Sequence, residues 1–519
     1  NHGIFFKNLS HTIAGVFFCS IFVFRGTVYI TMAESSYPQW VLEQKRPGTE
    51  IRRIRGFYYL YEAKCVYDKE KKRGRKVTGK YLGRITEADG LVAPRPKKNG
   101  TSVGKIESDK EYGVTALYDA IMPEYSELLK RHFPDDWQTI LAMAYCRLTR
   151  QSSLKMMDYH FSGSYMSEIL TDAKLSGDSL TKHIRKIGIK REAIVGFCRE
   201  FKAQNDNIIF DGTDLLSESG KMSLPKFSKS KPGCYENLIN LMFVFSVGAQ
   251  VPVYYRIMPG DIKDVKSFAL CFKESGIKDA TAIIDKGFYS KKNIEMLEGA
   301  GMKFIVPLKR SDKTIDYAPV MAGGISGMEG RFSFEGRNIW YFTRDVDGRN
   351  MHVYLDTRLR EKESDDFLKR VEKNAEKKEA DRDALYTEDT YREKYTTFGT
   401  LAVITNSDKC PKDVYTDYKS RCNVELMIDT FKNVLEVDHS YMQDEYALEG
   451  WMFSNYIALH WYYKIYQMLA KTGLISQYSA MDILDFLQEI RKIKIDGKWY
   501  LKEATAKTGK VLKKLGLNF

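Results

Sequence analysis

The chain has 519 residues with 81 Lys and Arg against 68 Asp and Glu, a formal net charge of +13. That length predicts more than one domain, and that charge suits a polyanionic partner. Eight cysteines and eight histidines are dispersed with no CxxC and no Cys/His cluster, and no GxxxxGK[ST] loop occurs. Zinc-site spacing, a disulfide framework and P-loop nucleotide hydrolysis are therefore excluded, and a reducing cytoplasm is the expected compartment.

The first element is an apolar run, Ala14 to Phe24, broken by Arg25. It is far short of the roughly 20 residues that span a bilayer. It also has the form of a signal-peptide core after Lys7. The reading preferred here is translated upstream sequence over residues 1–31, with the natural start at Met32. Residues 32–100 read as a small basic β region. Within it Tyr58 to Tyr61, Lys64 to Tyr67 and Lys76 to Leu82 read as strands, with a basic turn from Lys69 to Arg75. Cations clustered with aromatics point to DNA contact, and an ordinary solvated hairpin is the alternative. PRPKKNG, from Pro94 to Gly100, reads as a linker. Residues 101–204 are expected to be helical and are a candidate DNA-binding region. Leu175 to Gly188 has the form of the second helix of a helix-turn-helix, with Lys182, His183, Arg185 and Lys186 on it; a plain surface helix is the preferred reading.

Residues 205–310 change character. Short apolar runs predict strands at Asn207 to Phe210, Asn237 to Val247, Val251 to Ile257, Ala282 to Ile284 and Lys303 to Leu308. Helices are predicted from Asp264 to Gly276 and from Lys291 to Gly299. Three strands followed by alternating helix and strand is the order of a ribonuclease H-like fold, with a largely buried mixed sheet. Asp211 is expected at the end of the first strand and Asp285 at the end of the fourth. Lys221 to Lys231 is a basic loop placed to reach a DNA backbone.

Residues 311–397 interrupt that core as a mainly β insertion. Arg331 to Phe334, Asn338 to Thr343 and Met351 to Asp356 read as strands, with a hairpin turn at Asp345 to Asn350 (DVDGRN). The charged run Leu359 to Arg382 reads as a solvated helix. The core resumes over 398–440 with the strand Gly399 to Thr405. Residues 441–519 read as a C-terminal helical region, its Trp451 and Trp461 serving packing. His439 reads as a cap or surface residue.

The stretch Tyr418 to Lys432, YKSRCNVELMIDTFK, spaces its polar residues as Y-x2-R-x3-E-x6-K. On one helix, Tyr418, Arg421, Glu425 and Lys432 fall within an arc of roughly 60°. Val424, Met427, Ile428, Phe431 and Leu435 fill the adjacent apolar face. A carboxylate flanked by cations suits a metal ion and the phosphates it acts on. With Asp211 and Asp285 it can converge on a pair of divalent cations that clamp an in-line phosphoryl displacement.

These three segments in order (FDGTDL, DKGFYS and the signature) resemble the DDE transposases of bacterial insertion sequences, in the subgroup carrying a YREK motif. The resemblance runs from about Tyr37 onward. It implies that Asp211, Asp285 and Glu425 are the catalytic triad and hold Mg²⁺ or Mn²⁺, two ions per site. It implies that Tyr418, Arg421 and Lys432 contact the transposon-end DNA. Cut-and-paste chemistry through a DNA hairpin is implied, with terminal inverted repeats and target DNA as partners. A homodimer in the synaptic complex and a cytoplasmic, nucleoid-associated location are further expectations, with no membrane or nucleotide partner. The alternatives are a ribonuclease H-like nuclease without strand transfer and a non-catalytic DNA-binding protein derived from a transposase.

Overall fold

The computed structural model describes residues 18–24, 27–33, 37–68, 73–94, 106–121, 123–201, 205–230, 233–321, 325–381 and 383–517. Most of the apolar run's first half, the middle of the basic turn (69–72), the linker residues 95–100 and Lys231 lie outside them. The chain divides into two units, Asn1–Gly104 and Lys105–Phe519.

In the first unit Phe18–Phe24 pairs antiparallel with Thr27–Ala33. A separate four-stranded antiparallel sheet follows in sequence order: Thr49–Ile54, Phe57–Asp68, Arg73–Thr86 and Gly90–Val92. The two strands expected at 58–61 and 64–67 are one long strand. Register slips at Leu60/Tyr61 and Tyr61/Ala63 carry the chain through the break in its alternation. One face buries Ile51, Leu60 and Ile85 on Val41. The other face carries Arg52, Tyr59, Tyr61, Tyr81 and Arg84, matched across the strands. Arg84 lies over the exposed Phe57 ring at 4.0 Å and Arg52 over Tyr61 at 5.5 Å.

The second unit opens on the strand Ile106–Glu111 and a run of helices that includes α1 (Gly177–Ile189). Its sheet then builds from β1 (Asn207–Ser217), β2 (Tyr235–Ser246) and β3 (Val251–Pro259), all antiparallel. After α2 (Asp264–Ser275), β4 (Thr281–Ile284) pairs parallel with β1, and β5 (Lys303–Pro307) pairs parallel with β4. Ile208 to Phe210 and Leu238 to Ser246 are buried without alternation, as central strands covered on both faces must be. Mixed α/β architecture and the order of its first five strands are as the sequence predicts.

Residues 311–397 interrupt this region in sequence but extend its sheet in space. They supply β6 (Gly330–Phe334), β7 (Arg337–Val346), β8 (Arg349–Asp356) and α3 (Thr357–Ala375). The next strand, β9 (Thr400–Thr405), pairs antiparallel with both β5 and β8. The path therefore reads β3-β2-β1-β4-β5-β9-β8-β7-β6. The β7–β8 hairpin turns on Asp347 and Gly348, both at positive φ (54° and 76°), which is the backbone an Asp-Gly pair favours.

Two further helices, α4 (Pro411–Lys419) and α5 (Cys422–Asp429), lead to the long α6 (Glu445–Lys471). The region after α6 is not wholly helical. Arg491–Ile495 and Lys498–Leu501 form a hairpin that adds to Ile106–Glu111 in a three-stranded sheet. The alternation of Ile493 and Ile495, ending in Asp496-Gly497, is the local signal for it. Among the described residues no helix is long and apolar enough to cross a membrane.

The α1 helix packs on α6 with backbone nearly touching backbone. A Cβ added at Gly188 would lie 1.8 Å from the Tyr446 carbonyl oxygen, and one at Gly450 2.1 Å from that of Ile184. His183, Lys186 and Lys190 turn to the buried Asp136 carboxylate, and Arg185 to Asp444. Both the apolar face and most of the cations of this candidate recognition helix are thus engaged within the unit.

Candidate active site

Asp211 lies inside β1 and not at its end. The residues after Phe210 keep a period of two, with Thr213, Leu215 and Ser217 buried, so pairing with β2 continues to Leu216. Asp211 is opposite Phe243 on β2 and shares its face. That face belongs to the signature segment, because the Phe243 ring packs on Phe431 at 5.1 Å. Phe210, one residue earlier, points to the other face and packs on Phe268 of α2 at 4.9 Å. Ile284 of β4 is in register with Phe210. Asp285 and Asp211 are therefore the next residues on adjacent parallel strands.

The signature is not one continuous helix. The chain tightens at Ser420 and Arg421, where Arg421, Asn423 and Val424 each donate to the carbonyl three residues back. The Ser420 hydroxyl donates to the Asp417 carbonyl at 2.6 Å and competes with the helical ladder there. After α5, residues Thr430–Val434 form a π turn, with Leu435 N donating to the Thr430 carbonyl and Val437 N to that of Lys432. Val424, Met427, Ile428, Phe431 and Leu435 are buried, so the apolar face survives both irregularities.

The break sets Arg421 among all three carboxylates. Its Nη1 is 3.9 Å from Asp211 Oδ2 and 3.9 Å from Asp285 Oδ1, and its Nη2 donates to Glu425 Oε1. Burial alone would lower the Arg421 pKa. Its electrostatic interactions with Asp285, Tyr418, Glu425 and Asp211 outweigh it and hold the pKa above the ordinary arginine value. The guanidinium is thus a fixed cation under any physiological condition. Tyr418 stands beside it, its phenol pushed up chiefly by burial. Asp211 is buried, Asp285 partly so, and Glu425 exposed.

Lys432 points elsewhere. Its ammonium donates to the Asp214 carbonyl at 2.9 Å and lies 3.5 Å from the Thr213 hydroxyl, both on β1 just past Asp211. The π turn brings it there, and the bond fixes the end of the signature segment to the strand that carries the aspartate.

Several residues near the site carried no signal in the motifs. An open cleft of about 790 Å³ adjoins Asp285, Tyr418 and Arg421, with Lys286 and Lys309 exposed at its edge. Arg310 crosses its wall to grip Glu363 of α3 with two N–H donors at 2.9 and 3.0 Å. Arg147, buried in the helical part, donates to the carbonyls of Leu435 and Glu436 just after the π turn. A side chain joined to the site over so long a sequence separation leaves no local pattern.

Three carboxylates are the hard oxygen donors that Mg²⁺ or Mn²⁺ take, so the donor set fits those ions. In the arrangement seen, Arg421 stands between them. Among the described residues no three His, Cys, Asp or Glu side chains are close enough together to hold a metal ion as they lie.

The family model for the transposase DDE domain matches residues 203–461, the segment that holds all three carboxylates. No curated protein matches the sequence significantly. Among solved structures, the chain is similar to the piggyBac transposase in its synaptic complex with hairpin DNA. The identity is 10%, covering 73% of this chain and 80% of that one, with a TM-score of 0.39. The domain match carries the assignment: the chain belongs to the DDE transposases.

Proposed function

We propose that this transposase excises and inserts a bacterial insertion sequence by cut-and-paste chemistry, and that its sheet is a ribonuclease H-like core of the YREK type. Asp211, Asp285 and Glu425 are the catalytic carboxylates and hold the divalent ions. Such ions, when bound, activate the attacking hydroxyl and stabilise the leaving oxygen. The observation that carries the reading is the meeting of these three side chains on one guanidinium, from two adjacent strands and one helix.

The remaining roles follow from what each side chain can reach. Arg421 offers paired N–H donors to a phosphate, a grip that a lysine does not reproduce. Tyr418 lies beside it on the wall of the cleft, where one strand of the DNA end runs. Water nicks that end, the freed 3′-OH attacks the opposite strand to form a hairpin, and a second water opens it. The final 3′-OH then joins target DNA. The basic aromatic face of the N-terminal sheet contributes further DNA contacts, and two subunits hold two ends.

The test is a strand-transfer assay on labelled DNA taken from the sequence flanking the gene. Cleavage should require Mg²⁺ or Mn²⁺ and stop with a chelator. Asp211→Asn, Asp285→Asn and Glu425→Gln should each abolish nicking while the DNA end is still bound. A variant that nicks at the normal rate would remove that residue from the site. Cleavage with no joint products would reduce the activity to that of a nuclease.

A further inference from the structure

We infer that Arg421 is an internal counter-cation that competes with divalent metal for the same three carboxylates, so that metal loading is coupled to DNA binding. The inference rests on the reading of Asp211, Asp285 and Glu425 as metal ligands. It adds a second role to a residue otherwise read only as a phosphate contact.

The geometry sets up the competition. One guanidinium nitrogen lies 3.9 Å from an oxygen of each aspartate, and the other is bonded to Glu425. Magnesium needs its oxygen ligands at about 2.0–2.1 Å. An ion bound on the side that both aspartates turn to Arg421 would lie against the guanidinium, and two cations do not share that space. The carboxylates therefore have two alternative partners, the guanidinium or the metal. Because Arg421 keeps its charge, no pH change removes it; it has to move.

It has somewhere to move. Arg421, Tyr418 and Asp285 all line the open cleft, whose edge bears Lys286 and Lys309. A DNA phosphate in that cleft offers the guanidinium a bidentate anionic partner in place of the carboxylates. Phosphate and metal then help each other: the phosphate draws Arg421 off, and the ion fills the carboxylates it leaves. The coupling is reciprocal, so DNA must tighten metal binding by the same factor as metal tightens DNA binding. The result is a site that loads metal when a strand is in place and holds little of it otherwise.

The experiment measures Mn²⁺ binding by the full-length protein, from the free-ion paramagnetic resonance signal at constant ionic strength. It is run alone and with a duplex taken from the DNA flanking the gene, with the duplex blank subtracted. Arg421→Gln should bind Mn²⁺ about tenfold more tightly than wild type without DNA, within the usual range of a coupling between sites. Arg421→Lys, which keeps the charge on a side chain with fewer donors, should fall between the two. DNA should tighten Mn²⁺ binding in wild type and have little effect on Arg421→Gln. Thermal unfolding gives a second readout that does not depend on the titration. Arg421→Gln removes the cation that faces the three carboxylates, so its midpoint should fall without metal and rise more steeply with Mn²⁺ than wild type does. Equal Mn²⁺ affinity in wild type and Arg421→Gln, with Asp285→Asn weakening both, would overturn the competition and leave the ligand assignment standing. Mn²⁺ binding untouched by Asp211→Asn and Asp285→Asn would instead overturn the ligand assignment itself.

Discussion

Lys432 and Arg421 occupy the same motif and do different work. The spacing puts them on one stripe of an ideal helix, where both face the same DNA. The break at Ser420 and the π turn at Thr430 separate them. Arg421 remains at the carboxylates, while Lys432 is turned onto the Asp214 carbonyl. A lysine already bonded to a backbone carbonyl, and half-buried, positions the strand beside it. Lys432→Met should therefore impair cleavage while leaving the salt dependence of DNA binding unchanged. If the ammonium instead paired with a phosphate, the slope of log K against log salt would fall by about 0.9. Measuring the binding constant across a salt series, together with nicking rate, separates the two roles. The spacing places the four residues in one segment, but periodicity has no way to show a π turn. Phe431 and Leu435 fall on the apolar face of an ordinary helix as well, so their burial leaves no mark of the turn in the sequence.

At the scale of elements, the α1–α6 crossing sets a hard limit on what the helical part tolerates. Gly188 and Gly450 allow backbone contact that no larger residue permits. Gly188→Ala and Gly450→Ala should each cost about 1–3 kcal/mol through overpacking, read as a lower midpoint in denaturant. Gly509, in the helix Ala506–Lys514, has nothing within 4 Å of an added Cβ. Gly509→Ala should be neutral or stabilising by about 0.5–1 kcal/mol, as expected for a helix interior. A loss at Gly509 as large as at Gly450 would show that the effect is not the crossing. The helix expected from Leu175 to Gly188 was legible as a helix, since its apolar positions recur at the right period. Its use was not, because the carboxylates of Asp136 and Asp444 that take up its cations lie far away in sequence. The same holds for the sheet. Its strands were legible one by one from apolar runs, whereas the joining of β8 to β9, which makes residues 311–397 part of one sheet, is a pairing between distant segments. The C-terminal hairpin is a different case: the Asp496-Gly497 turn was present in the sequence, and the helical character of its surroundings masked it.

At the scale of the whole chain, the excess of positive charge is unevenly shared. Residues 37–94 hold fourteen Lys and Arg against seven Asp and Glu, more than half of the net +13 in a small part of the length. Fold alone does not ask for this, since the small core of Val41, Ile51, Leu60 and Ile85 uses none of it. On the face away from that core the cations alternate with aromatic rings, and Arg52 and Arg84 are stacked on Tyr61 and Phe57. Glu50 neutralises part of the patch: Lys76 and Arg52 pair with it and lower its pKa against the opposing effect of burial. Arg84 is stacked on a ring and well placed to give its donors to a phosphate. A DNA-binding face predicts a graded response. Arg84→Ala should lower the salt slope of DNA binding by about 0.9, the value of one phosphate contact. Glu50→Gln should raise affinity, because Lys76 and Arg52 lose an internal competitor. Neither change should alter the cleavage rate at saturating DNA, because the carboxylates belong to the other unit. If Arg84→Ala leaves the slope unchanged and Glu50→Gln leaves affinity unchanged, the sheet face does not touch DNA. The positive charge of residues 37–94 would then need another partner.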